Sequence, residues 1–258
     1  MCLIACAWQA HPRWPLVLIG NRDEVHARAA TPAGFQSDAP QVYGGRDLEK
    51  QGGWLQLSTR RRLAAVTNVR VGAHPEPAMR SRGALVAGFV REAASTHDWI
   101  DALQPQASQY GRFNLLLWDG RSLALAGNHP QFAQQSLAPG VHGLSNGAFD
   151  AAWPKVRRAR AALMAWLAAA PMFGEPVLDA LFTALADERV APDQQLPETD
   201  VGLALERALS PPFIRNAHYG TRCSSVVLVG HDQAIFAERR YGPNAAALGD
   251  NLARFALT

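Results

Sequence analysis

The chain has 258 residues, of which 48% are hydrophobic, and its formal net charge is +3. This length and apolar content suffice for a buried core, and we expect residues 1–258 to form a single domain. The charge is mild, and the densest basic run, Arg60 to Arg62, lies between two strand-like segments. That position is typical of a solvated hairpin turn, so we expect no nucleic-acid partner.

Apolar runs in the chain are interrupted by Arg, Pro or Gly before they reach the length needed to cross a bilayer. The first residues also lack the charged and apolar regions of a signal peptide. We therefore predict a cytoplasmic protein without a membrane span. The three cysteines, Cys2, Cys6 and Cys223, form no C-x-x-C pair, and the histidines are scattered. These patterns predict no disulfide framework, no metal site and no cofactor.

The first half of the chain alternates apolar runs with short turns, which indicates antiparallel hairpins because parallel pairing requires long crossovers. A turn near residues 12 and 13 joins the first two runs, and Asp119-Gly120 is a typical hairpin dipeptide. The predicted strands lie in the ranges 2–9, 15–24, 52–58, 63–69, 113–120 and 122–128, with a further pair in 226–241.

Helical periodicity is present in three segments, which are 82–95, a segment beginning at Pro154, and 176–187. Residues 188–200 are rich in Pro, Asp and Gln and are predicted to form a surface loop. Hairpins with segregated helices indicate an α+β fold in which helices cover the faces of sheets.

The opening hairpin places polar residues beside Cys2. A turn near residues 12 and 13 makes paired residue numbers add to about 25, so Cys2 lies across from Asn21, Arg22 and Asp23. Removal of Met1 would give Cys2 both a thiol and a free α-amine, which can act as a nucleophile and its own base. An adjacent guanidinium favours the thiolate. Alternatively, Cys2 is a small apolar residue of a buried strand.

Several motifs in order resemble one family. They are NRDE at 21–24, GGRDLEKQGGWLQLS at 44–58, AAVTNVR at 64–70, FNLLLWDG at 113–120, GLSN at 143–146 and YGTRCSSVVLV at 219–229. Together they resemble the NRDE, or transport-and-Golgi-organisation, family, which is similar to N-terminal-nucleophile hydrolases such as bile-salt hydrolases and penicillin V acylases. The resemblance implies a four-layer αββα sandwich of two antiparallel sheets.

The resemblance also implies site residues. Cys2 would be the nucleophile, with Arg22 beside it, and Arg222 would be a second active-site arginine. Bile-salt hydrolases have an aspartate three residues after the strand-end arginine, where this chain has Val25. The carboxylate is therefore expected from Asp23 or Glu24.

Two asparagines complete the implied site. Asn68 would support the oxyanion through its backbone N–H, and Asn146 would do so through its side chain. Donors of this kind suit acyl transfer, although asparagines are also ordinary turn residues.

Two functions remain open at this stage. The first is an N-terminal cysteine amidohydrolase or acyltransferase on a small amide or acyl substrate. The second, suggested by the trafficking phenotype in the family's name, is a protein that handles haem, acyl-CoA or lipid with little turnover. His and Cys could then ligate haem, and Arg could pair with propionates or phosphates. A third possibility, a Ser145 nucleophile in G-x-S-x-G, is disfavoured because no helix signal follows at once.

Overall fold

The computed structural model describes residues 3–72 and 80–258, and its strands form two antiparallel sheets. One sheet has six strands, which are in spatial order β10 (Gly140–Leu144), β1 (Leu3–Trp8), β2 (Leu16–Val25), β11 (Tyr219–Val229), β12 (Gln233–Tyr241) and β13 (Ala247–Ala256). The other sheet has seven, which are β3 (Gly34–Gln36), β4 (Ala39–Gly44), β5 (Leu55–Ser58), β6 (Arg62–Asn68), β7 (Phe113–Trp118), β8 (Leu123–Gly127) and β9 (Ala133–Ser136).

The described residues form five α-helices, of which the first four pack on the outer faces of the sheets. They are α1 (Gly83–Arg91), α2 (Thr96–Leu103), α3 (Pro154–Ala169), α4 (Asp179–Leu185) and α5 (Leu203–Ala208), with short 3-10 turns at Gln104–Gln109, Asp193–Gln195 and Pro243–Ala245. Within the described ranges, none of these helices has the length and apolar character required to span a bilayer.

Three apolar clusters hold the helices and the two sheets together as layers. Alternate residues of a strand point to opposite faces of its sheet, so each sheet can bury both faces. The middle cluster joins the two sheets through residues such as Leu18 and Leu116. A second cluster packs Ile19 against α3 and α4, and a third packs Leu115 against α1 and α2. The predicted α+β fold, a four-layer αββα sandwich, is confirmed.

The predicted hairpins are present, with corrected bounds. In the first hairpin Leu3 pairs with Asn21 and Trp8 with Leu16, so paired numbers add to 24, one less than predicted. The predicted helix 82–95 is too long. The chain is extended at Glu92, and α2 begins after Ser95, whose side chain accepts a hydrogen bond from the Asp98 N–H. The helix predicted at 176–187 is likewise limited to α4.

Two glycines allow a loop to approach α1 closely. The Gly53 N–H donates to the Gly83 carbonyl at 3.1 Å, and the Asp47 N–H donates to the Gly52 carbonyl at 2.9 Å. A β-carbon on Gly52 would lie 2.6 Å from Gly83 Cα and 2.7 Å from Gly83 O, where no side-chain movement can relieve the clash. The loop between β4 and β5 therefore depends on glycine at position 52.

We expect Gly52→Ala to lower the free energy of unfolding by about 1–3 kcal/mol, the usual cost of forcing atoms into a packed site. Urea denaturation followed by circular dichroism measures the change. Gly34→Ala is the matched control, because a β-carbon there meets nothing within 4 Å. That control should change the unfolding free energy by no more than about 0.5 kcal/mol. Equal effects of the two substitutions would contradict the close-approach argument.

Candidate active site

Strands β1 and β2 determine to which face of the sheet the predicted site residues near them point. Cys2 lies outside the described residues. The even-numbered residues of β1 and β2, including Ile4 and Leu18, face the space between the sheets, whereas Asn21 points to the helical side. There the Asn21 Nδ2 donates to the carbonyls of Leu185 and Pro212, both at 2.8 Å. Asn21 thus ties its sheet to the chain at and beyond α4.

Arg22 is a buried charge on the inner face of the six-stranded sheet, only 4% exposed. Its Nη2 lies 3.2 Å from Asp47 Oδ2 and 3.9 Å from Glu24 Oε2. The guanidinium also stands 4.6 Å from the centroid of the Trp54 ring. A planar guanidinium suits this combination of ring stacking and carboxylate contact better than an ammonium would. These contacts fix the orientation of the Arg22 guanidinium near the end of the sheet at which β1 begins.

Asp47 is the central carboxylate of this cluster. Its Oδ2 accepts from Arg28 Nε at 2.5 Å, and its Oδ1 accepts from the backbone N–H groups of Glu49 and Lys50 at 3.1 and 2.8 Å. Burial alone would raise the pKa of Asp47. The Arg28 and Lys50 hydrogen bonds, together with the charges of Arg28 and Arg22, instead hold that pKa below its usual value. Asp47 is therefore ionised at neutral pH and balances the buried Arg22.

The two carboxylates predicted for the site lie on different sides of the sheet. Glu24 reaches towards Arg22, as described above. Asp23 is buried on the opposite face, where its Oδ1 accepts a hydrogen bond from Thr221 Oγ1 at 2.7 Å. Glu24 and Asp47 thus contact the guanidinium, whereas Asp23 does not, and the catalytic role of either predicted carboxylate stays a prediction.

The two predicted asparagines meet each other. Asn146 follows β10 in one sheet and Asn68 ends β6 in the other, and Asn146 Nδ2 lies 3.0 Å from both Asn68 O and Asn68 Oδ1. Lys155 Nζ and Ser145 Oγ, both donors, approach Asn146 Oδ1 at 3.4 Å, which fixes the orientation of the amide. The Thr67 hydroxyl adds a bond of 2.7 Å to the Ser145 carbonyl. The asparagines therefore join the sheets at this end.

Arg222 occupies a β-bulge between Thr221 and Cys223 in β11. Its Nη1 donates to the carbonyls of Val25 and Arg28 at 3.0 and 2.9 Å. Burial and the neighbouring charge of Arg22 lower the pKa of Arg222. The two predicted arginines line one small cavity of about 60 Å³. Through these bonds Arg222 holds the segment after β2 in place. That segment brings Arg28 into contact with Asp47.

A cleft of about 610 Å³ opens beside the asparagines. Val25, at the end of the strand that carries Arg22, and Asn68 both line it. The wall is otherwise apolar, with three arginines, and it includes Val69, Leu205, Ile214, Arg70, Arg82 and Arg112. Arg70 Nη2 is paired with Glu206 Oε2 at 2.5 Å. A ligand of this cleft would meet apolar side chains and positive charge together.

The two described cysteines are not candidates for nucleophilic chemistry. Cys6 and Cys223 are buried in the core between the sheets. Burial raises the pKa of Cys6 to about 12, and it also raises the pKa of Cys223. Neither thiol can ionise near neutral pH. Among residues 3–72 and 80–258, no group of three or more His, Cys, Asp or Glu side chains is placed to hold a metal ion.

Sequence reasoning missed Asp47 and Trp54 as partners of Arg22. Both lie within the motif GGRDLEKQGGWLQLS, and the charged pair Arg46-Asp47 between glycines was a usable signal. The Ser145 alternative does not fit, because β10 belongs to an antiparallel sheet and α3 begins only at Pro154.

We expect Asp47→Asn to lower the free energy of unfolding at neutral pH by about 3 kcal/mol, because it removes the nearer carboxylate of buried Arg22 and leaves only Glu24 at 3.9 Å. The native pKa of Asp47 is depressed, so its contribution is present above the unfolded-state pKa and is lost as pH falls through the native value. Urea denaturation at a series of pH values should therefore show the wild-type and variant curves converging in acid.

Asp38→Asn provides the matched control. Asp38 also bridges two arginines, Arg46 at 2.9 Å and Arg91 at 3.1 Å, but on the surface. Solvent screens such pairs, so this substitution should have a much smaller effect. A loss of stability in Asp47→Asn that does not vary with pH would contradict the assignment.

Comparison with known proteins places the chain among relatives of similar length. It is 31% identical to the Transport and Golgi organization protein 2 homolog of Bos taurus, over 93% of this chain and 92% of the relative. It is 28% identical to Transport and Golgi organization protein 2 of Drosophila melanogaster, over 91% of this chain and 90% of that protein.

Among solved structures, an N-acylethanolamine-hydrolyzing acid amidase ortholog from Caenorhabditis elegans shares the fold. The TM-score is 0.54 at 9% identity, and the match covers 88% of this chain and 92% of that one. The model of the family described as Transport and Golgi organisation 2 matches residues 1–243. The chain, a four-layer αββα sandwich, therefore belongs to the Transport and Golgi organisation 2 family.

Proposed function

We propose that this protein is an N-terminal-nucleophile amidohydrolase or acyltransferase in which Cys2 attacks a small amide or acyl substrate. The observation that carries the proposal is the buried guanidinium of Arg22, held by Asp47 and Trp54 on the inner face of the sheet. Cys2 directly precedes β1, whose even-numbered residues share that inner face. A fixed positive charge at this position favours a thiolate.

The proposed reaction begins once Met1 has been removed and the Cys2 amine is free. The amine takes the thiol proton as Sγ bonds to the substrate carbonyl carbon, giving a tetrahedral oxyanion. Collapse breaks the carbon–nitrogen bond, and the leaving amine takes the proton. Water, or another acceptor, then attacks the thioester and releases the acyl group together with the Cys2 thiol.

Asn68 and Asn146 are proposed to stabilise the oxyanion. Asn146 Nδ2 has two hydrogens, and both of its observed acceptors belong to Asn68. Sharing one hydrogen between these acceptors leaves the other for a substrate oxygen. Loss of a single oxyanion donor costs roughly 10²–10³ in rate. Lys155 serves this role indirectly by fixing the Asn146 amide.

The cleft beside Asn68 is the proposed substrate site. Its volume of about 610 Å³ fits a small molecule. Its apolar residues suit an acyl chain, and Arg82 and Arg112 suit a negatively charged group, whereas the charge of Arg70 is balanced by Glu206. The name of the Caenorhabditis elegans neighbour, an amide-hydrolysing enzyme, supports the choice of reaction on this fold.

A carrier of haem or of an acyl-CoA-like ligand is the second candidate, and the arginines in the apolar cleft are the observation that favours it. They could pair with propionates or phosphates. Cys6 and Cys223 would not contribute ligands, because both thiols are buried and their pKa values are raised. Acyl-enzyme formation separates the candidates, since a carrier binds without forming a covalent bond.

We expect protein from its native source to lack Met1 and to form one covalent acyl adduct with p-nitrophenyl decanoate. The activated ester should acylate the thiol of Cys2, because the thiols of Cys6 and Cys223 are buried. Intact-mass spectrometry with peptide mapping reports both modifications at once. Cys2→Ala is the control and should remain unmodified. Retention of Met1 in reactive protein, or an adduct at another residue, would contradict the mechanism.

We expect Arg22→Ala to slow alkylation of Cys2 by iodoacetamide at neutral pH by about tenfold, the effect of losing one nearby opposite charge on a thiol. Arg22→Lys should slow it less, because lysine retains the charge but loses the planar fork held by Asp47 and Trp54. The measurement is the alkylation rate against pH. Burial protects Cys6 and Cys223, so peptide mapping isolates the Cys2 signal.

Arg91→Ala serves as the matched control for charge removal, because Arg91 pairs with Asp38 on the surface. It should leave the alkylation profile unchanged. If Arg22→Ala also leaves that profile unchanged in folded protein, Arg22 does not activate the thiol and the proposal fails.

A further inference from the structure

A second cavity, which we call the turn pocket, lies at the opposite end of the sandwich from the candidate active site. Four hairpin turns form it, and its volume is about 570 Å³. Leu3 and Asn68 lie at the active-site ends of β1 and β6, whereas Trp8 and Arg61 lie at the turn-pocket ends. Strand β1 has six residues, so about 20 Å of strand separates the two sites.

The charged side chains lining the turn pocket are basic. They come from four different turns and are Arg61, Arg121, His11 and His231. Neither Arg61 nor Arg121 has an ion-pair partner in residues 3–72 and 80–258, and no carboxylate lines the pocket within these ranges. The middle residue of the basic run at 60–62 therefore contributes to a concave site as well as to a turn.

Arg61 is positioned by the fold. It adopts a φ of 55°, and the adjacent turn packs against it at Gly120, where a β-carbon would lie 3.1 Å from Arg61 Cβ. Glycine at position 120 thus allows the two turns to approach each other. Their contact fixes the position of Arg61 Cβ. Such positioning lowers the entropy lost when the guanidinium binds a ligand.

A further donor lies at the pocket. His11 Nδ1 accepts from the Arg13 N–H at 3.2 Å, which leaves Nε2 as the N–H of the neutral ring. Trp118 contributes to the lining as a ring that is only 2% exposed. The pocket therefore offers donors and positive charge and lacks an anionic acceptor.

We propose that the turn pocket binds a small multivalent oxyanion that carries phosphate or carboxylate groups. Such a ligand would accept bonds from both guanidinium groups, which lie on neighbouring turns. The concave shape and the volume fit a small molecule. The site is independent of the proposed reaction, because it shares no lining residue with the cleft at Asn68.

Isothermal titration calorimetry at low salt with sodium pyrophosphate and with citrate tests the proposal. We expect one site per chain with a Kd below about 1 mM for at least one of the two anions. Tighter binding of pyrophosphate identifies a phosphate site, and tighter binding of citrate identifies a carboxylate site. Arg61→Asn should weaken binding at least about tenfold through loss of charge-assisted bonds. Asparagine tolerates the positive φ, so this variant keeps the turn.

Arg60→Asn is the matched control, because Arg60 is the preceding exposed residue of the same turn and does not line the pocket. It removes the same charge and should change Kd by less than about twofold. The absence of saturable binding up to about 10 mM of both anions, or equal weakening by Arg60→Asn and Arg61→Asn, would overturn the proposal.

Discussion

The burial of the Arg22 charge between two sheets is the constraint on which the candidate site depends. A buried ion costs several kcal/mol unless it is paired, so the surrounding chain must supply a counter-charge with good geometry. Asp47 does so from the loop between β4 and β5, and that loop is held in turn by Arg28 and by the contact of Gly52 with Gly83. The position of one guanidinium thus depends on several segments that are distant in sequence.

The sandwich also explains where its polar groups occur. Residues at the middle of each strand fill a dry core, so buried polar side chains concentrate where strands end and backbone or solvent partners become available. At one end the asparagine pair and the arginine cluster adjoin the cleft. At the other end the hairpin turns bring Arg61, Arg121 and His11 together. Both cavities result from the same arrangement of antiparallel strands.

Hydrogen bonds join the two sheets at the end where chemistry is proposed. Asn146, Ser145 and Gly147 follow a strand of one sheet, and their partners Asn68, Thr67 and Asn114 belong to the other. Apolar packing alone would allow the sheets to shift relative to each other, whereas directional bonds fix their relative position. A site that needs the thiol and the oxyanion donors in register benefits from this rigidity.

The sequence by itself determined the hairpins, the helix beginning at Pro154, the α+β class and the register of the first hairpin to within one residue. These are local properties, because apolar periodicity and turn dipeptides act over a few residues and a short hairpin has few possible registers. The asparagines at 68 and 146 were also found from their motifs. The outer strand β13 was missed because most of its residues face solvent and carry no clear alternation.

Only the tertiary structure decided which side chains meet. Asp47 rather than Asp23 binds Arg22, because strand alternation sends Asp23 to the helical face and a distant loop brings Asp47 to the inner face. The meeting of Asn68 with Asn146 and the basic pocket formed by separate turns follow from how the two sheets pack. Contacts of this kind depend on the whole chain, and no local pattern in the sequence encodes them.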